Sequence, residues 1–218
     1  MEHLSFMNTS YYPQTLPPDT AKLLSLLQQK NPGFLSSFYL SGGTALSIQL
    51  GHRESEDLDF FSQNPFKPEL IEQQLLEYGS LSETELSHGT LNTYLNGMKL
   101  QFLYYPYRLI KPVVDWEGIH LSSVIDIACT KLQTVGMRGS RKDFIDIFFL
   151  LKEMTLETIL TYTKEKYLES DYSETHILKS LVYFDDAEVQ PMPRMHQDVS
   201  WEQIKQVITT AVKSTSVI

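Results

Sequence analysis

Hydrophobic and polar positions follow two rhythms along this chain, one in its first half and another in its second. Leu23, Leu24, Leu26 and Leu27 recur at helical spacing and predict a helix over residues 19–29, led in by Pro17-Pro18 and ended by Asn31-Pro32-Gly33. Phe38, Tyr39 and Leu40 have strand character, and Ser41-Gly42-Gly43 breaks that run where the backbone must turn tightly. Ala45, Leu46, Ile48 and Leu50 then form the apolar part of a two-turn helix. Asp57-Leu58-Asp59-Phe60 alternates polar and apolar, which predicts a second strand. Beyond the break Asn64-Pro65-Phe66-Lys67-Pro68, the positions Leu70, Ile71, Leu75 and Leu76 predict a helix over 69–78. Strands are expected at 81–86, 90–95 and 98–105, with Asn96-Gly97 as a type I′ hairpin signal before the third.

From Leu121 the rhythm becomes helical. Ser122 or Ser123 is placed to cap a helix running to Val135, and Ser140 a second over 141–152. Thr155, Asp171 with Glu174, and Ser200 with Gln203 mark later starts, the last two as capping boxes. Pro13, Pro17 and Pro18 make the opening segment a loosely structured arm. The expected organisation is therefore α/β (α+β): an arm over 1–18, a core over 19–115 with a mixed sheet flanked by helices, and a helical part over 116–218 packed on it.

Composition changes this picture only at its edges. A chain of 218 residues with a hydrophobic fraction of 42% fits one large domain or two small ones. The formal charge of −9 argues against a general nucleic-acid coat but leaves room for a local basic groove. The single cysteine, Cys129, lies in an apolar helical pattern and reads as a buried thiol. No apolar run reaches membrane-spanning length and no signal pattern opens the chain, so a soluble, cytoplasmic protein is expected.

The chemistry concentrates in 38–61. On a strand, residues i and i+2 share a face, so Asp57 and Asp59 project together, roughly 6.5–7 Å apart at Cα. Such a pair can hold Mg²⁺ (or Mn²⁺), a hard cation that shares oxygen ligands with substrate phosphates. A glycine turn opening a helix supplies free N–H groups and a positive dipole end, which suit a phosphate. Together they would hold a nucleoside triphosphate. Gly42-Gly43-Thr44-x-Leu46, followed by Arg53-x-Ser55-x-Asp57-Leu58-Asp59-Phe60, resembles the signature of the DNA polymerase β-like nucleotidyltransferases, specifically the AbiEii/AbiGii toxin branch. The resemblance implies a polymerase β-like core and an NTP bound by Gly42, Gly43, Thr44, Arg53 and Ser55, with the metal on Asp57 and Asp59. Without it, Arg53 could equally pair with a neighbouring acid on the surface.

A second constellation follows. Between Lys131 and Lys142 there are four basic residues and no acid. Asp143 and Asp146 lie one turn apart on the next helix, close to its apolar positions, and a carboxylate there needs a partner. Lys131 and Arg138 are the candidates. Read alone, the stretch is a structural ion-pair network. Its form, with Lys131, Arg138, Gly139, Lys142, Asp143 and Asp146, also resembles the late motif of the AbiEii family. That implies Lys131 on the triphosphate or leaving group, with Asp146 orienting it or acting as base. Arg138, Arg141, Lys142 and Asp143 would give support or RNA backbone contact.

One position departs from the wider superfamily, which commonly carries a third carboxylate on a later strand. Here that strand offers Gln101, which takes no proton near neutral pH. Three expectations stay open. The first is a Mg²⁺-dependent transferase moving a nucleotidyl group from an NTP to an acceptor hydroxyl, on an RNA such as tRNA. The resemblance would then imply a cognate antitoxin and a role in toxin–antitoxin or abortive-infection phage defence. The others are a weak or inactive nucleotide-binding module and a transferase acting on a small molecule.

Overall fold

The computed structural model describes residues 10–170 and 172–215. Its centre is one mixed sheet of seven strands: β1 (Tyr39–Ser41), β2 (Leu58–Ser62), β3 (Leu81–Ser87), β4 (Thr90–Leu95), β5 (Met98–Tyr104), β6 (Val114–Trp116) and β7 (Ile119–Leu121). Their spatial order is β3-β4-β5-β2-β1-β7-β6. Three helices belong to this half: α1 (Pro18–Lys30), α2 (Gly42–Leu50) and α3 (Pro68–Leu75). Strands β2 and β5 pair in parallel, while β1 runs antiparallel to β2.

The strict period of two decides which face is buried. Leu58, Phe60, Leu91, Leu95, Leu100 and Phe102 all point to one side and are sealed, with α1 and α3 lying against β5 and β4. The alternate residues Asp59, Asn92 and Gln101 are only half-buried on the opposite side. That polar side is where chemistry is possible. The Asn96-Gly97 turn has positive φ at both residues, 53° and 82°, as a type I′ hairpin requires.

Four expectations are corrected by the structure. First, residues 10–18 are not loose: Tyr12 N–H donates to the Ile48 carbonyl at 2.7 Å, and Thr15 and Leu16 are buried. Residues 1–9 of the expected arm lie outside the described residues. Second, the sheet does not end near residue 105. Glu117 and Gly118 turn with positive φ and join β6 to β7, which then pairs with β1. Two three-residue strands are too short to show a period. Third, a division at 115 therefore falls inside β6, and the helical part begins after Leu121. Fourth, the helix expected from Asp171 starts at Glu174 and is capped by the Ser173 side chain, which accepts from His176 N–H; Asp171 itself lies outside the described residues.

The helical half comprises α4 (Val124–Met137), α5 (Arg141–Glu153), α6 (Leu156–Lys166), α7 (Glu174–Leu181), the short α8 (Asp185–Glu188) and α9 (Trp201–Ser214). Ser123, Ser140 and Thr155 cap as their sequence positions predict, and Ser200 with Gln203 forms the capping box. Phe144, Phe184 and Trp201 pack together with ring centroids 4.9–6.0 Å apart, closing α5 against the tail. Among the described residues no helix is long and apolar enough to cross a membrane.

Two buried charges tie the halves together. Asp126 on α4 accepts from Lys166 Nζ at 2.8 Å, from Ser123 Oγ at 2.6 Å, and from the N–H groups of Ile110 and Lys111. The loop before β6 is thereby fixed to two helices. Because each half lends polar groups to the other's interior, the chain is expected to unfold as one unit. Trp116 sits in the sheet and Trp201 in α9, so Trp→Phe variants at each position report each half separately. Their urea midpoints should coincide; midpoints separated along the denaturant axis would contradict a single cooperative unit. Asp126→Ala should lower stability by about 3–5 kcal/mol, the scale for stranding a buried partner.

Candidate active site

The site forms where β1 gives way to α2. Gly42 has φ of +67°, a conformation that side-chain-bearing residues enter at a cost of about 1–2 kcal/mol. A Cβ on Gly42 would also come within 2.6 Å of Asp59 Oδ2. Gly43 is constrained differently: a Cβ there would meet Arg53 Nη2 at 2.5 Å and Ser55 Oγ at 3.1 Å. The diglycine is thus needed twice over by the chain's own packing. It lets one acid approach the helix start and one guanidinium pass beneath it.

Asp59 pairs across the sheet with Ser41 on one side and Gln101 on the other, so it stands at the centre of the polar face. Asp57 immediately precedes β2 rather than lying on it. Crowding by neighbours and then the nearby Asp57 push the Asp59 carboxyl up to about 6, against the pull of Lys131, Lys99 and Arg138. Asp59 is densely surrounded yet not sealed from solvent. Asp59, its proton affinity raised by the neighbouring Asp57, and Asp57 itself stand beside a helix start and are the donor set a divalent cation would relieve. Oxygen donors and like-charge crowding both fit Mg²⁺, with the remaining positions left to water and phosphate. Among the described residues no group of three or more His, Cys, Asp or Glu gathers as a metal site, so the two aspartates would be the protein's share.

Behind the acids lies a buried network around Asp146, which has no exposed surface. Arg53 grips it in bidentate fashion, Nε to Oδ1 at 2.7 Å and Nη2 to Oδ2 at 2.8 Å. His52 Nε2 lies 2.8 Å from Oδ1, and Lys131 Nζ lies 2.6 Å from Oδ2. Lys131 also donates to Asp143 Oδ1 at 2.8 Å, while Ser140 Oγ donates to Asp143 Oδ2 at 2.6 Å. Lys131 thus stands between two buried acids, close enough for its charge to act on Asp59 as well.

Several expected roles change as a result. Arg53 is 2% exposed and is spent on Asp146 and the Glu54 carbonyl, so it supports the site rather than touching a phosphate. Its partner is a distant buried acid, not one nearby on the surface. The Asp146 carboxyl is fully engaged: despite burial, Arg53 and Lys131 hold it well below the usual carboxylate range. Asp143 and Asp146 do find cations, but these are Lys131 and Arg53; Arg138 is exposed at the end of α4. Thr44 is buried, and its hydroxyl donates to the Asp57 carbonyl beside Ser55 Oγ, bracing the acid segment rather than opening to a ligand. Arg141 is spent on the Ala187 and Glu188 carbonyls and on the Trp201 ring face, leaving Arg138 and Lys142 as the exposed cations of that stretch.

The sequence reading missed His52. A histidine within Gly-His-Arg-Glu-Ser-Glu has the look of surface, and only the fold reveals that it is buried on Asp146. Cys129 is buried as expected, and burial pushes its thiol up to about 12. Tyr105 and Tyr107 pack on Tyr167. Two cavities, of about 570 and 400 Å³, lie away from the acids, against α9 and against α1 respectively.

Removing Asp146 would strand Arg53 and Lys131 in the interior, so Asp146→Ala is expected to cost about 3–5 kcal/mol in urea unfolding. Burial holds His52 below its ordinary 6.5, so unfolding takes up a proton once the pH falls under that value. Stability should therefore fall as pH drops through 6.5 towards the lower folded value, and His52→Gln should flatten that fall. An unchanged slope in His52→Gln would place the proton uptake elsewhere.

Comparison with known proteins agrees with this architecture. The family described as "Nucleotidyl transferase AbiEii toxin, Type IV TA system" matches residues 25–96. The uncharacterized protein aq_aa25 of Aquifex aeolicus is 36% identical over 189 residues, spanning 83% of this chain and 89% of that protein. JHP933 from Helicobacter pylori superposes with a TM-score of 0.56 at 16% identity, covering 94% of this chain and 92% of that one. MenT4, described as nucleotidyltransferase toxin Rv2826c from Mycobacterium tuberculosis, superposes at 0.51 and 12% identity, covering 92% and 87%. At those identities the two structures speak for the fold. On the family match and the relative at 36% identity, this chain belongs to the AbiEii nucleotidyltransferase toxin family.

Proposed function

We propose that the protein transfers a nucleotidyl group from an NTP to an acceptor hydroxyl on RNA, such as a tRNA 3′ end, in a Mg²⁺-dependent reaction. The observation that carries this reading is the convergence on Asp59. Gly42 touches it, Asp57 crowds it, and Lys131, Lys99 and Arg138 all act on its charge. Asp57 and Asp59 would hold the cation, which supplies charge neutralisation on the triphosphate. The free N–H groups at the start of α2 and the Ser55 hydroxyl would cradle the phosphates. Lys131, aimed by Asp143 and Asp146, would meet negative charge developing on the departing pyrophosphate. The acceptor oxygen forms a bond to the α-phosphorus as the bond to the β-phosphate breaks. The hydroxyl proton passes to water, since Asp143 and Asp146 are held by cations and Gln101 takes no proton.

Arg138 and Lys142 are the exposed cations that would meet an RNA backbone. The family description supports a partner antitoxin and a role in a toxin–antitoxin system; the reaction would take place in the cytoplasm. Gln101, registered beside Asp59 where a third carboxylate could stand, supports a second reading: a module that binds NTP and turns over slowly or not at all.

Labelled NTPs, Mg²⁺ and total tRNA separate the two. The wild-type protein should transfer label, and Asp59→Asn should abolish transfer by at least about 10³-fold, on the scale of losing a key charge-stabilising group. Metal-dependent NTP binding without transfer would favour the module. No metal-dependent binding at all would overturn both.

A further inference from the structure

Strand pairing sets a line of polar side chains across the open face. Asp59 lies opposite Gln101, Gln101 opposite Asn92, and Asn92 opposite Glu85 on the edge strand. Directly paired residues share a face with Cβ atoms about 4.5–5.5 Å apart. Gln101 Nε2 donates to Asn92 Oδ1 at 2.6 Å, which fixes both amides against each other. Among the described residues that bond leaves Gln101 Oε1 as an unused acceptor and Asn92 Nδ2 as an unused donor on this half-buried face. Lys99, exposed on the same strand and two residues from Gln101, is close enough to act on Asp59. The α2 start, Ser55, Lys131 and Arg138 come from the other side of Asp59, the side of β1 and the helices. The amide pair is thus across the acid from the proposed triphosphate groups.

Position and chemistry together discriminate what the pair would touch. A group one strand from Asp59 is too near for a nucleobase, which lies a ribose beyond the α-phosphate. A carbonyl oxygen repels phosphate oxygens and accepts from O–H. We propose that Gln101 and Asn92, with Lys99 beside them, form the acceptor subsite, taking a hydroxyl flanked by a phosphate, as at the 3′-terminal ribose of an RNA strand. Gln101 Oε1 accepts from the hydroxyl, and Lys99 faces the neighbouring phosphate. The neutral side chain at 101 is then a positioning group for the acceptor and takes no proton from it. This assignment rests on the transferase reading above.

The test uses the full chain and two 5′-fluorescein RNA oligonucleotides that differ only in a 3′-hydroxyl or a 3′-deoxy end, with binding read by anisotropy in Mg²⁺. Wild-type protein should prefer the hydroxyl end by about fivefold, the scale of one neutral hydrogen bond. Gln101→Ala should erase that preference and Asn92→Ala reduce it, while both keep wild-type NTP affinity. Lys99→Gln should weaken both RNAs alike and lower the salt slope by about one ion. Circular dichroism confirms folding, and because all three side chains are half-buried or exposed, the variants test contact rather than core packing. Equal binding of the two ends by wild-type protein, or a preference that survives Gln101→Ala, overturns the acceptor subsite. Loss of NTP affinity in Gln101→Ala would also overturn it, by placing the residue on the nucleotide. Absence of Mg²⁺-dependent NTP binding in the wild type would instead overturn the transferase reading, and the RNA comparison would still decide this one.

Discussion

One buried carboxylate, Asp146, holds the two halves of this protein in working register. It comes from the helical half, accepts a bidentate guanidinium from the loop behind the diglycine, and holds the ammonium of Lys131. Desolvating such charges is costly, and a buried ion network of this kind is often no more stabilising than apolar side chains of equal volume. Stability alone therefore gives little reason to keep it. Position does: each contact fixes a group that stands near Gly43 or Asp59. Arg53 occupies the space under Gly43, and Lys131 is held between Asp143 and Asp146, close enough for its charge to act on Asp59.

The diglycine looks different in that light. A glycine turn at a helix start is usually read as room for a phosphate, and the free N–H groups of α2 are consistent with that. In this chain both glycines also answer to local packing, Gly42 to Asp59 and Gly43 to Arg53. Ligand site and support are built on the same residues. A substitution at either glycine would disturb the acids or the Arg53–Asp146 bond before any nucleotide arrived.

Much of this was legible in the sequence because it depends on short-range rules. The β4–β5 hairpin follows from Asn96-Gly97, the helix starts follow from Ser123, Ser140, Thr155 and Ser200, and the polar sheet face follows from a period of two. The acid pair and Lys131 were legible as candidates for the same reason, since type and spacing suffice to suggest them. What could not be read were the long-range partners. Nothing near Arg53 in the chain indicates that it reaches Asp146, 93 residues away, or that His52 is buried beside it. The small β6–β7 hairpin was missed because three-residue strands carry no period. The resemblance implied a ligand role for Thr44 and support or RNA contact for Arg141, whereas tertiary contacts turn both inward.

The central claim is that Asp146 delivers Lys131 to a cavity shared by the acid pair and the start of α2. A crystal structure with Mn²⁺ and a non-hydrolysable NTP analogue tests it most directly, because manganese reports its own position by anomalous scattering. The account predicts the metal on Asp57 and Asp59, the triphosphate over Gly42 and Gly43, and Lys131 contacting a phosphate while still bonded to Asp143 and Asp146. A nucleotide bound elsewhere, or a Lys131 that stays sealed away from the phosphates, would contradict it.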